Sequence, residues 1–304
     1  ARSPHYLTCS MADYAAKAND FMAKAQKKLK AGMFATMFGG NKYEEAGELL
    51  EKASNNYKLA KMWSEAAAAF VQLADCHVHL DSKHEAASAY VEAANANKKV
   101  DVEAAVANLR VAVSFFADMG RLAIAAKHLK DVGELYEKEE KLEQSCEAYM
   151  QAADLYSGEE VSTTANNCKL KVAELSATLE RYPLAIEVYE EVAKASMDNN
   201  LLKFSVKGYL LNAGICRLCS QDAIGVKNAL ERYEDVDPSF GDSRECNLLK
   251  GLADAAEEGD QDKYTSVLSE YDSMSRLDAW KTTLLLRAKK KIVASVAEEE
   301  DDLT

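Results

Sequence analysis

The sequence predicts an all-α protein: a right-handed solenoid of helical hairpins, about 40 residues each, closed at its C-terminal end by a helical bundle. Three observations carry this. Only three prolines and thirteen glycines punctuate 304 residues, and Gly and Pro cost a helix about 1 and 3 kcal/mol relative to alanine. A small residue opening an apolar face recurs at a spacing of about 20. After about residue 220 that register fades and the breaks become irregular.

Taken in chain order, "ARSPHYLTCS" (1–10) has neither a signal-peptide pattern nor helical periodicity, and is read as leader or appended residues before Met11. "MADYAAKANDFMAKAQKKLK" then reads as a helix with a lysine-rich end. "GMFATMFGGN" (32–41) follows, with Met33, Phe34, Met37 and Phe38 in a glycine-bounded segment too short and broken for a core helix. Two readings stay open for it. The four side chains either fold back as a clasp between the first helix and the stack, or form a membrane-touching loop beside the basic run "KKLK" (27–30). Four partly inserted apolar tips would contribute only a few kcal/mol, since full burial of one is worth roughly 1.5–3 kcal/mol.

The repeat occupies residues 11–220. Ala46, Ala66, Ala86, Ala105, Ala125, Ser145, Ala165 and Ala185 open successive units. Four positions on stand Leu50, Phe70, Tyr90, Leu109, Leu129, Tyr149, Lys169 and Tyr189; seven on stand Ala53, Leu73, Ala93, Ala112, Val132, Ala152, Val172 and Val192. Positions i, i+4 and i+7 share a helix face, so each unit is one amphipathic helix and a tight connection. Connections are expected at "LDSKH" (80–84), "DMGR" (118–121), "SGEEVST" (157–163) and "ERYP" (180–183), with Pro183 in a first helical turn. Such a face cannot be buried within one hairpin, so neighbours must stack, leaving an extended concave surface. The period exceeds the 34 residues of standard tetratricopeptide repeats and lacks their Trp-Leu-Gly-Tyr pattern; a tetratricopeptide-like stack of longer helices is expected.

Residues 221–293 form the expected terminal bundle, with breaks at "DVDPSFGDS" (235–243), "EEGDQD" (257–262) and "SMSRLD" (273–278). Residues 294–304 end in five consecutive carboxylates before Leu303, a run that repels itself and is expected to be a flexible, solvated acidic tail.

The net charge of −13 argues against general nucleic-acid binding. Seven scattered cysteines lack a disulfide framework and read as reduced thiols. "CRLC" (216–219) places two thiols one helical turn apart without a second pair for zinc, and "CHVHLDSKH" (76–84) has no i, i+4 pair of metal ligands. No Walker loop, G-x-G-x-x-G or G-x-S-x-G occurs. No apolar run approaches the about 20 residues of a membrane span. The sequence therefore assigns no catalytic residue, no metal and no cofactor, and points to a protein that binds partners.

Seven strings occur in one order: "MFGGNKYEEA" (37–46), "SKHEAASAYVEAA" (82–94), "DMGRLAIAAKHL" (118–129), "LLKFSVKGYLLNAGIC" (201–216), "DSREC" (242–246), "EYDSMSRLDAWKTTLLLR" (270–287) and "EEEDDLT" at the end. Together they closely resemble the alpha-type soluble NSF attachment proteins, the alpha-SNAP family. The resemblance covers Met11 to Thr304. It implies a cytoplasmic adaptor, peripherally associated with membranes, that binds assembled SNARE four-helix bundles (syntaxin-type and partner SNAREs). It also implies that the adaptor recruits the hexameric ATPase NSF for SNARE disassembly, without hydrolysing ATP itself. A monomer in isolation, with several copies per bundle, is expected.

The resemblance further implies roles residue by residue. Arg121, Lys127, Lys171, Lys203 and Arg244 match basic SNARE-contacting positions, while Asn167 stands where the family has a lysine. Asp222, Asp254, Glu257 and Glu258 match the carboxylates facing NSF, and Leu303 the residue that stimulates it. Met33, Phe34, Met37 and Phe38 match the family's apolar loop, which favours weak membrane contact over the clasp. Taken singly, each cation reads equally as a solvated face. The alternative function is a general helical-repeat scaffold whose groove accepts peptides or amphipathic helices.

Overall fold

The structure is a computed structural model that describes residues 10–30, 41–158 and 162–302, with side chains described as far as residue 291 apart from that of Ser162. Among the described residues there are fourteen α helices and no strand. They are α1 (Met11–Lys30), α2 (Lys42–Leu59), α3 (Trp63–His79), α4 (Lys83–Asn97), α5 (Val102–Asp118), α6 (Leu122–Lys138), α7 (Leu142–Gly158), α8 (Ser162–Thr178), α9 (Tyr182–Met197), α10 (Val206–Cys219), α11 (Ala223–Val236), α12 (Arg244–Glu257), α13 (Gln261–Met274) and α14 (Ala279–Asp302), with a 3-10 turn at Lys203–Ser205 before α10. The all-α class is as the sequence predicts. Pro183 lies in the first turn of α9, where its missing N–H costs nothing.

The 20-residue register is the burial pattern. All eight opening residues, Ala46 through Ala185, are at most 2% exposed. Along α2, Ala46, Leu50, Ala53 and Tyr57 form one buried stripe. Alanine at the opening position lets the next helix approach closely, and the larger residue one turn on fills the space beside it. Lys169 breaks the pattern, and it does so by turning to α9, where its ammonium pairs with Glu191 at 2.7 Å.

The chain forms two compact units, residues 1–141 with 151–162, and residues 142–150 with 163–304. In the first, α1 to α6 pack each against the next. Side chains from α1, α2, α3 and α4 share two apolar clusters, around Leu50 and Phe70 and around Tyr57 and Ala66. In the second, α8 to α14 contribute to one core that includes Leu210, Ile215, Leu249, Leu252, Tyr264 and Leu285. Two of its polar tips find partners: the Tyr264 hydroxyl donates to the Leu285 carbonyl at 3.1 Å, and the Trp280 indole N–H to the Glu174 carbonyl at 3.2 Å. Cys216 and Cys219 belong to this core, and the Cys219 thiol donates to the Leu284 carbonyl at 3.2 Å. Burial raises both thiols, Cys219 to about 11, so neither is a thiolate near neutral pH.

The tight connections share one backbone device. Residues Lys61, Asp81, Gly120, Glu140, Glu180, Gln221 and Gly259 all have φ between 54° and 70°. In each case the next residue's N–H reaches back past the turn, as Met62 N does to Tyr57 O (3.0 Å), Arg121 N to Phe116 O (2.8 Å) and Lys141 N to Tyr136 O (2.9 Å). This is the Schellman closure, which satisfies the last carbonyls of one helix and reverses the chain into the next. Only two of the seven are glycine, the residue that tolerates this conformation without a Cβ penalty. Glu140 is exposed. Glu140→Gly is therefore expected to stabilise the protein by about 0.5–1 kcal/mol, read as a rise in the thermal midpoint; a lower midpoint would contradict the assigned backbone state.

Candidate partner-binding surfaces

The five basic candidates fall in both units. In the first, Arg121 is the N-cap residue of α6, with its side chain free of any capping bond, and Lys127 lies farther along the same helix. Both are exposed, and neither forms an ion pair among the described residues. In the second, Lys171 is on α8, 3.4 Å from Glu174. Lys203 is in the 3-10 turn before α10, its ammonium 3.4 Å from the Asn200 side-chain oxygen and 5.6 Å from the Phe204 ring centre. Arg244 opens α12, exposed and without an ion pair among the described residues. Asn167 and Lys171 are four apart on α8 and share a face; Lys169, held by Glu191, points elsewhere.

Sequence reasoning missed the apolar neighbours of Lys203. Leu201 and Phe204 are 84% and 81% exposed, the most exposed large apolar side chains among those described. The string "LLKF" after "DNN" carried the signal, a break in the stripe with apolar residues that no helix face could claim. An exposed apolar pair flanking a cation is suited to a surface that is partly apolar and partly acidic.

The acidic candidates gather in the second unit. Asp222 caps α11, its Oδ1 accepting from the Gly225 N–H at 2.8 Å. A Cβ at Gly225 would collide with that carboxylate, so the glycine is what lets the cap close. Asp254 and Glu257 project one turn apart from α12 toward Lys227 on α11, at 2.7 and 2.6 Å. That hydrogen bond from Lys227 holds the Asp254 carboxyl below its usual range, and the two carboxylates push the Lys227 ammonium up. Glu258 follows as the C-cap of α12, with both oxygens 2.8 Å from Lys263. Lys227 was invisible in the sequence as a partner of this set, because 27 or more residues separate it from its carboxylates.

Met33, Phe34, Met37, Phe38 and Leu303 lie outside the described residues. Among those described, no group of three or more His, Cys, Asp or Glu side chains is placed to hold a metal ion. Two of the three histidines of "CHVHLDSKH" are engaged with aromatic rings: His79 stacks on Tyr43 at 4.1 Å and His84 meets the Phe116 ring edge-on. No described helix is long and apolar enough to cross a membrane.

Residues 16–293 match the family model described as soluble NSF attachment protein, SNAP. The chain belongs to the SNAP family. It is 47% identical over 295 residues to the alpha-soluble NSF attachment protein of Vitis vinifera, covering 97% of this chain and 100% of that one. It is 46% identical over 292 residues to the alpha-soluble NSF attachment protein of Mus musculus, covering 95% and 97%. The probable vesicular-fusion protein sec17 homolog of Schizosaccharomyces pombe is 41% identical over 288 residues, covering 94% and 98%. The family match thus runs from within α1 into α14.

Proposed function

We propose that this SNAP-family chain is a non-enzymatic adaptor that holds assembled SNARE four-helix bundles and recruits and stimulates the NSF ATPase to take them apart in vesicle fusion and intracellular transport. The observation that carries the reading is similarity to the attachment proteins over nearly the whole chain, with the described basic and acidic candidates exposed or, for Lys171 and Asp254, partly exposed. SNARE bundles are acidic rods. Arg121, Lys127, Lys171, Lys203 and Arg244 supply complementary charge, which steers and orients more than it adds raw affinity, and Leu201 and Phe204 supply an apolar contact beside Lys203. Asp222, Asp254, Glu257 and Glu258 face the ATPase, and Leu303 stimulates it. Several copies gather on one bundle, each a monomer when free.

Met33, Phe34, Met37 and Phe38 contribute a weak, reversible membrane contact, which becomes effective when a bundle already holds the protein at the bilayer and raises the local concentration of the loop. The protein is then cytoplasmic and peripherally associated with membranes. One reconstituted assay tests the reading: NSF, ATP and this protein, with SNARE bundles either soluble or anchored in vesicles. Disassembly of both is expected. Phe34→Ser with Phe38→Ser should slow only the anchored bundles, and removal of Leu303 and Thr304 should lower ATP turnover on both. Equal capture of single SNARE helices and assembled bundles would instead support the general helix-binding scaffold.

A further inference from the structure

The acidic set of the second unit is not an open field of negative charge. Lys227 sits against Asp254 and Glu257, Lys263 against Glu258, and Arg217 lies 3.8 Å from Asp222, so all four carboxylates assigned to the ATPase already have a counter-ion from their own chain. These pairs are wet: Lys227 keeps 40% of its side chain exposed, Asp254 46% and Glu257 37%. Exposed ion pairs contribute little to stability because water and salt screen them. Opening one therefore costs little when a better cation arrives.

We infer that Lys227 is a resident competitor for the basic groups of the ATPase, occupying Asp254 and Glu257 in the free protein and yielding them when the partner docks. The inference rests on the assignment of the acidic set to that contact. Two features of the geometry favour exchange. Asp254 and Glu257 are three apart on α12 and present their carboxylates on one face. A partner arginine can meet such oxygens with a planar fork of donors, whereas the Lys227 ammonium is a single point of charge. Until then Lys227 opposes any approaching cation, which weakens attachment to unrelated basic surfaces as well as to the correct one. Binding strength is given up for selectivity.

The test uses the full chain with NSF and preassembled SNARE bundles, reading the protein concentration that gives half-maximal ATPase stimulation at low and high salt. Lys227→Met removes the charge and keeps the stem; Asp254→Asn with Glu257→Gln removes the carboxylates. Lys227→Met is expected to lower the half-maximal concentration about threefold at roughly 50 mM salt, with the gain disappearing near roughly 300 mM as the exposed charges are screened. Lys227→Arg, which gives the resident cation the same fork of donors, should raise the half-maximal concentration. The carboxylate variant should raise the half-maximal concentration. If it does so while Lys227→Met has no effect or weakens stimulation, Lys227 is an organiser of the patch or a bystander, and the competitor role fails alone. If the carboxylate variant stimulates normally, the assignment of the acidic set fails and the competitor role falls with it. Unchanged circular dichroism and melting of each variant exclude unfolding as the cause.

Discussion

Replacing Arg121, Lys127, Lys203 and Arg244 together by glutamate is expected to weaken capture of assembled SNARE bundles at least about thirtyfold, roughly 2 kcal/mol. The four are exposed and none is tied to a carboxylate among the described residues, so no internal pair has to break before they meet an acidic rod. Each exposed contact contributes at most about 1 kcal/mol, and reversal replaces attraction with repulsion. The loss should shrink as salt rises. A control variant reversing Lys52, Lys83, Lys99 and Lys138, also exposed, changes the net charge equally. Equal loss in the control would show that overall charge, rather than these positions, governs binding.

The second large effect concerns the core of the second unit. Gly214 lies on α10, and a Cβ added there would fall within contact distance of both Leu249 methyl carbons, 2.7 Å from one of them. Leu249 is fully buried on α12, so its side chain has no solvent to move into. Gly214→Ala is therefore expected to destabilise by about 1–3 kcal/mol, although alanine is the better helix former, because overpacking outweighs propensity here. Leu249→Ala alone should cost about 2–5 kcal/mol through lost burial and a cavity. The double variant should cost less than the sum by about 1 kcal/mol, since the new methyl partly fills the space the leucine leaves. Trp280 packs in this unit, so its fluorescence in a Trp63→Phe background follows the unfolding. Strict additivity would mean that the two residues do not press on one another.

Much of the fold was legible from periodicity. The opening alanines, the larger residues four on and the mixed residues seven on predicted buried positions because a helix repeats its faces every few residues and the units repeat every twenty. The breaks before α12, α13 and α14 were equally visible, at "DVDPSFGDS", "EEGDQD" and "SMSRLD". The turns at Lys61, Glu140 and Gln221 were not. Lys61, Glu140 and Gln221 adopt the left-handed conformation only because the stacked helices on either side require the reversal, and nothing in their side chains announces it.

What the sequence by itself determined is therefore the class, the register and the chemistry available: helices with an alanine-led face, thiols without a framework, and charges at numbered positions. Tertiary structure alone decided how those charges are used. It tied Lys169 to Glu191, left Arg121 and Lys127 without an ion pair among the described residues, set Lys227 between Asp254 and Glu257, and turned Leu201 and Phe204 outward. The physical reason is range. Burial along one helix is a local periodic property, whereas the partner of a long polar side chain is fixed by which helix packs beside it, tens of residues away.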